Sequence, residues 1–137
     1  MAESLHPALP KLAGKTLLIP VPSGSKATAE RGFVPAQVLA KQLARLMSET
    51  RVVEGIWQRR EVQDQAALNV VLRQTNIEGS MLASPGFARL KNTNLVLIDD
   101  VITTGASMTE CQRALRAVGC EPSFLFAYAE TLRKTAT

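Results

Sequence analysis

The residues best equipped for chemistry lie at 95–107, which read LVLIDDVITTGAS. Asp99 and Asp100 are adjacent carboxylates, groups that suit hydroxyls or a hydrated Mg²⁺. Thr103, Thr104, Gly105, Ala106 and Ser107 follow at once, and such small hydroxyl and glycine residues let a turn wrap a phosphate. A Walker-type phosphate loop would need a lysine after its glycine, and Gly105 is followed by Ala106 and Ser107. The stretch therefore reads as a polyol and phosphate site without that loop. Other nucleophile chemistry finds no support, because no GxSxG or HExxH pattern occurs and the single histidine, His6, sits in a weakly patterned arm.

These groups need a strand to end at the carboxylates and a helix to begin at the turn. Leu95 to Ile98 form a continuous apolar run of the kind expected for a central parallel strand covered on both faces. From Met108 the residues Cys111, Leu115 and Val118 recur at helical spacing, predicting a helix over 107–118. Residues 16–21 (TLLIPV) predict a first strand, after which Pro20 and Pro22 force an extended exit and Ser23 begins a loop at the strand's carboxyl edge. Residues 35–47 predict an amphipathic helix with Val38, Leu39, Leu43, Leu46 and Met47 as its apolar face. A second strand is expected over 52–57, a polar loop over 58–66, a helical stretch over 68–74 and a short strand over 79–83. Ser84, Pro85 and Gly86 mark a turn, and a last strand is expected over 123–129. This alternation of strands and helices argues for a mainly parallel sheet flanked by helices, an α/β fold, with residues 1–15 as an N-terminal arm and 16–137 as one domain.

Composition agrees with that class: hydrophobic residues make up 46% and aromatics only 4%, so the core must be aliphatic. Lysine and arginine exceed acidic residues by four, a potential that would attract an anionic substrate. Direct binding of DNA is disfavoured, since the few aromatics lie mostly within apolar runs and leave little to stack on bases. No segment has the roughly 18 apolar residues of a membrane span, and the first ten residues lack a signal-peptide pattern, so a cytoplasmic location is expected. Cys111 and Cys120 read as free thiols rather than a zinc site or disulfide.

Taken whole, residues 95–107 closely resemble the signature of type I phosphoribosyltransferases, which bind 5-phosphoribosyl-1-pyrophosphate (PRPP). Two further stretches resemble the ComF-like competence branch of that family. In residues 20–40, Pro20, Val21, Pro22, Glu30, Arg31, Gly32, Phe33 and Ala36 match its pattern; in residues 59–81, Arg59, Gln65, Leu68, Arg73, Asn76 and Gly79 keep its spacing. The departures are Val34-Pro35 where the branch has Asn-Gln, Val62 where it has Thr, fewer basic residues after Pro22, and no four-cysteine zinc ribbon.

The resemblance implies a type I phosphoribosyltransferase fold, Rossmann-like, with a reduced hood. It implies that Asp99 and Asp100 hold the ribose hydroxyls and, through water and substrate, Mg²⁺. The turn of Thr103, Thr104, Gly105, Ala106 and Ser107 would hold the 5-phosphate. On the pyrophosphate side stand Ser23, Lys26, Arg31, Arg59 and Arg60, with Asp99, Asp100 and Arg59 as the implied catalytic residues. Transfer of phosphoribose between PRPP and a nitrogenous base is the activity this implies. The alternative is a non-catalytic PRPP- or nucleotide-binding accessory protein linked to competence and DNA uptake, with DNA-processing proteins as partners. A homodimer is compatible with either, as type I relatives are often dimers.

Overall fold

The computed structural model describes residues 14–23, 29–59, 77–102 and 105–130. In chain order the elements are β1 (Lys15–Pro20), α1 (Pro35–Leu46), β2 (Thr50–Val52), β3 (Ile56–Gln58), β4 (Met81–Ala83), a 3-10 turn (Pro85–Arg89), β5 (Thr93–Ile102), α2 (Ala106–Ala117) and β6 (Phe124–Glu130). The main sheet runs β2-β1-β5-β6, with every pairing parallel. β3 and β4 form a separate antiparallel ribbon. The α/β class read from the alternation is the fold observed.

Both faces of the central strands are covered, which is why their sequences are apolar without alternation. Leu18, Val96 and Ile98 pack with Leu39, Ala40 and Leu43 of α1 on one face. On the other, Ile19, Leu95 and Leu97 pack with Met108, Cys111, Ala114 and Leu115 of α2, and with Ile56, Met81, Ala83 and Phe87. Each fully buried Leu, Ile or Val contributes about 1.5–3 kcal/mol by leaving water.

Helix α1 differs from expectation in the face it buries. Ala36, Leu39, Ala40 and Leu43 are buried, the last three against the sheet, while Val38 and Leu46 are exposed. Two alanines at helical spacing let the backbone approach closely, so the contact stripe follows them rather than the largest side chains. Helix α2 ends as sequence physics asks: Gly119 takes a left-handed φ of 84°, its N–H bonds Arg116 O at 3.0 Å, and Cys120 N–H bonds Leu115 O at 2.9 Å. That is a Schellman closure.

The single strand expected over 52–57 is two strands in two sheets. Thr50–Val52 pairs with β1, and Ile56–Gln58 leaves to pair with Met81–Ala83. The break falls at the buried Gly55, where a Cβ would collide with the Phe87 ring, so the chain can cross under Phe87 only with a glycine. The central strand is longer than the apolar run, because parallel pairing with β6 carries on through Val101 and Ile102. The helical stretch expected over 68–74, the N-terminal residues 1–13 and Val62 lie outside the described residues.

Candidate functional site

Strand order alone marks the place where a ligand would bind. From β1 the chain moves outward to β2, whereas from β5 it moves the opposite way to β6, so the order reverses between β1 and β5. Open α/β sheets take ligands beyond the carboxyl ends of the strands at such a switch point. The Val21 N–H bonds Ile98 O at 2.8 Å, and this is where β1 stops tracking β5. Beyond it, Asp99, Val101 and Ile102 pair with β6. Among the described residues, no strand pairs with β5 on the β1 side at the two carboxylates.

Asp99 and Asp100 are both half-buried, and the Asp100 N–H donates to Asp99 Oδ1 at 2.9 Å. Because strand residues alternate, Asp99 continues the face of Leu95 and Leu97 toward α2, and Asp100 continues the face of Val96 and Ile98 toward α1. In accord with this, the Asp99 charge acts on Cys111 of α2. The carboxylates therefore stand on either side of the strand end.

Gly105 opens α2 in the left-handed region at φ 78°, with no side-chain cap on the helix and no acidic residue in its first turn. Its Cα faces open space, where an added Cβ would meet nothing within 4 Å. A 12-residue helix thus points its N-terminus toward the end of β5, with Gly105 at its cap offering no side-chain bond, an arrangement that favours an anion. Ala106 is buried and Ser107 half-buried in this first turn; Thr103 and Thr104 lie outside the described residues.

Ser23 is half-buried two residues past Val21, while Arg31 is exposed. Lys26 and Arg60 lie outside the described residues. Arg59, exposed at the end of the ribbon, donates from Nη2 to Gly79 O at 2.7 Å. Arg59 and Gly79 are thus brought together by the ribbon across 20 positions of sequence.

One cluster escaped the sequence reading. Glu110 of α2 is buried to 3% exposure and is held by Arg113 through Nε at 2.9 and 3.0 Å and Nη2 at 2.7 Å. Met81 N–H donates to Glu110 Oε1 at 3.2 Å, and Arg113 Nη2 donates to Met81 O at 2.8 Å. Burial pushes the Glu110 carboxyl up, but hydrogen bonds from Arg113 and from the backbones of Met81 and Gly79 outweigh it and hold the group below its ordinary value. The only signal in the sequence was a Glu–Arg pair three apart on a helix, which is ordinarily a solvated surface pair.

Residues 27–130 match the family model described as "Phosphoribosyl transferase domain". The chain is also 27% identical, over 104 residues, to the "Competence protein F" of Haemophilus influenzae, a match covering 76% of this chain and 45% of that relative. The chain therefore spans less than half the length of the curated relative it matches.

Proposed function

Because the chain belongs to the phosphoribosyl transferase domain family, we propose that the end of β5 and the start of α2 bind PRPP, and that the protein transfers phosphoribose between PRPP and a nitrogenous base. One observation carries this reading: the strand bearing Asp99 and Asp100 and the helix opened by Gly105 meet at the topological switch point of the sheet. The helix start would receive the 5-phosphate. The carboxylates would receive the ribose hydroxyls, one from each side of the strand end.

Among the described residues no group of three or more His, Cys, Asp or Glu is placed to hold a metal ion. Two carboxylates at a half-open strand end fit Mg²⁺, which keeps much of its water and is commonly shared with substrate phosphates. Asp99 and Asp100 are the residues that would hold it. When bound, the ion supplies positive charge against the leaving pyrophosphate.

In the transfer, a ring nitrogen of the base forms a bond to C1 of the ribose as the bond from C1 to the pyrophosphate oxygen breaks; its electron pair departs with pyrophosphate, and a proton carried by that nitrogen passes to pyrophosphate or water. Positive charge grows on the sugar near Asp99 and Asp100, where carboxylates stabilise it. Negative charge grows on the leaving group, where Ser23, Arg31 and Arg59, with Lys26 and Arg60, are the candidates to receive it.

The test is a calorimetric titration with PRPP, with and without Mg²⁺, on the native chain and on Asp99→Asn/Asp100→Asn. Binding that the double substitution abolishes is expected; affinity equal in the two proteins would remove the site from these residues. Pyrophosphate release with a panel of bases then tests turnover.

A second reading is an accessory protein that binds PRPP or a nucleotide without turnover and works with DNA-uptake or DNA-processing proteins. The name of the Haemophilus relative supports it. So does Val34, which begins α1 with no side-chain cap where the ComF-like pattern carries a polar residue. Binding of PRPP with no pyrophosphate release for any base would select it.

A further inference from the structure

The ribbon of β3 and β4 is too short to hold its own place, since two strands of three residues are marginal in water. Its ladder bonds run from Ser84 N–H to Gly55 O at 2.8 Å and from Arg59 N–H to Ser80 O at 2.6 Å. On β4, then, Ser80 and Ser84 turn their backbone groups toward β3, and by alternation Met81 turns its groups to the outer edge. An outer edge normally leaves N–H and C=O unpaired. Here both are taken by α2, with Met81 N–H on Glu110 and Met81 O on Arg113. Glu110 and Arg113 thus act as a side-chain strand along the edge of β4.

Two residues before Met81, the Gly79 carbonyl accepts from Arg59. Gly79 stands at φ 74°, a left-handed geometry that glycine adopts at little cost. The segment 79–81 is therefore held by α2 on its outer side, at Met81, and holds Arg59 on its inner side, with Ser80 O accepting from the Arg59 N–H and Gly79 O from its guanidinium. We infer that Glu110, with Arg113, is a positioning unit that sets Arg59 relative to the start of α2, and so tunes the pyrophosphate side of the site independently of the phosphate cradle. The inference rests on the PRPP reading for its ligand, but the placement of the ribbon can be measured without one.

Trp57, the only tryptophan, sits on β3 opposite Leu82 and is 45% exposed, so it reports on the ribbon directly. The experiment compares native protein, Glu110→Gln and Arg113→Lys, the lysine variant keeping a charge but losing the fork that reaches carboxylate and carbonyl together. Without ligand, time-resolved anisotropy should show faster local motion of Trp57 in both variants while circular dichroism of the main sheet is retained. With Mg²⁺ present, calorimetry should show PRPP affinity falling about tenfold, the scale of one charged hydrogen bond lost, and ribose 5-phosphate affinity unchanged. In an Arg59→Ala background the Glu110→Gln loss should vanish.

Unchanged Trp57 motion in both variants overturns the positioning role whatever the ligand. Equal loss for PRPP and ribose 5-phosphate also overturns it, as a merely structural role would weaken both. If Glu110→Gln does not fold, Arg113→Lys carries every arm of the comparison. Native protein that binds neither ligand overturns the PRPP reading and the tuning role with it, while the Trp57 arm still decides whether the clamp places the ribbon.

Discussion

Two glycines show how differently a single residue can matter in this chain. Gly105 is required for its backbone: φ is 78° and the space around it is open, so an alanine there is strained without a clash. Gly55 has an ordinary φ and is required for space, because its Cα lies under the Phe87 ring. Gly55→Ala should therefore cost about 1–3 kcal/mol through overpacking and be partly rescued by Phe87→Leu. Gly105→Ala should cost about 1–2 kcal/mol and gain nothing from Phe87→Leu. Urea unfolding of native protein, the three single variants and the two double variants checks both, and rescue of Gly105→Ala by the Phe87 change would contradict the distinction.

At the scale of elements, α1 and α2 are stabilised in opposite ways. Helix α1 starts with Val34 in extended geometry at φ −106° and Pro35 in its first turn, so the proline sets the entry angle while the cap side chain offers no hydrogen bond. Val34→Asp supplies the missing acceptor and a charge that suits the helix N-terminus. Thermal unfolding should show a gain of about 1 kcal/mol, and no gain would mean that Val34 packs where a cap cannot reach. Helix α2 is tied to the ribbon by the ionised Glu110. A carboxyl whose pKa is lower folded than unfolded contributes stability that is fully present above its unfolded value and is lost as pH falls through the folded one. The stability gap between native protein and Glu110→Gln should thus be constant near neutrality and narrow below the ordinary carboxylate range. Melting temperatures from pH 7 to pH 3 test this; a gap that widens toward acid would mean the carboxyl is neutral in the fold.

For the whole molecule, the layered core predicts which thiol can react. Cys111 is fully buried between α2 and the sheet, with its sulfur 3.5 Å from Met81 Sδ. Burial pushes its thiol far up, and the charges of Asp99 and Glu110 push it further. Cys120 is half-buried past the end of α2, and burial raises it as well. In native protein at pH 8 a thiol reagent should label Cys120 slowly and Cys111 only through global unfolding, with both labelled at once in denaturant. Mass mapping of the labelled peptides checks this. Equal rates under native conditions would show that the α2 face opens locally.

Much of this architecture was legible in the linear order of residues. The apolar run into Asp99 and Asp100 and the helical spacing from Met108 foretell the strand and the helix observed there, because periodicity is local. The Val21 to Ile98 bond, the reversal of strand order beside the carboxylates and their division between the two faces of β5 came only with the tertiary structure. Pairing partners are chosen by burial over long separations, which no local pattern encodes. The same holds for the split of residues 52–57 at Gly55, whose reason is a ring 32 positions away. Glu110 is the clearest case: on the helix it is one acidic residue beside an arginine, and only the outer edge of β4, with an N–H and a C=O to satisfy, turns that pair into a buried clamp.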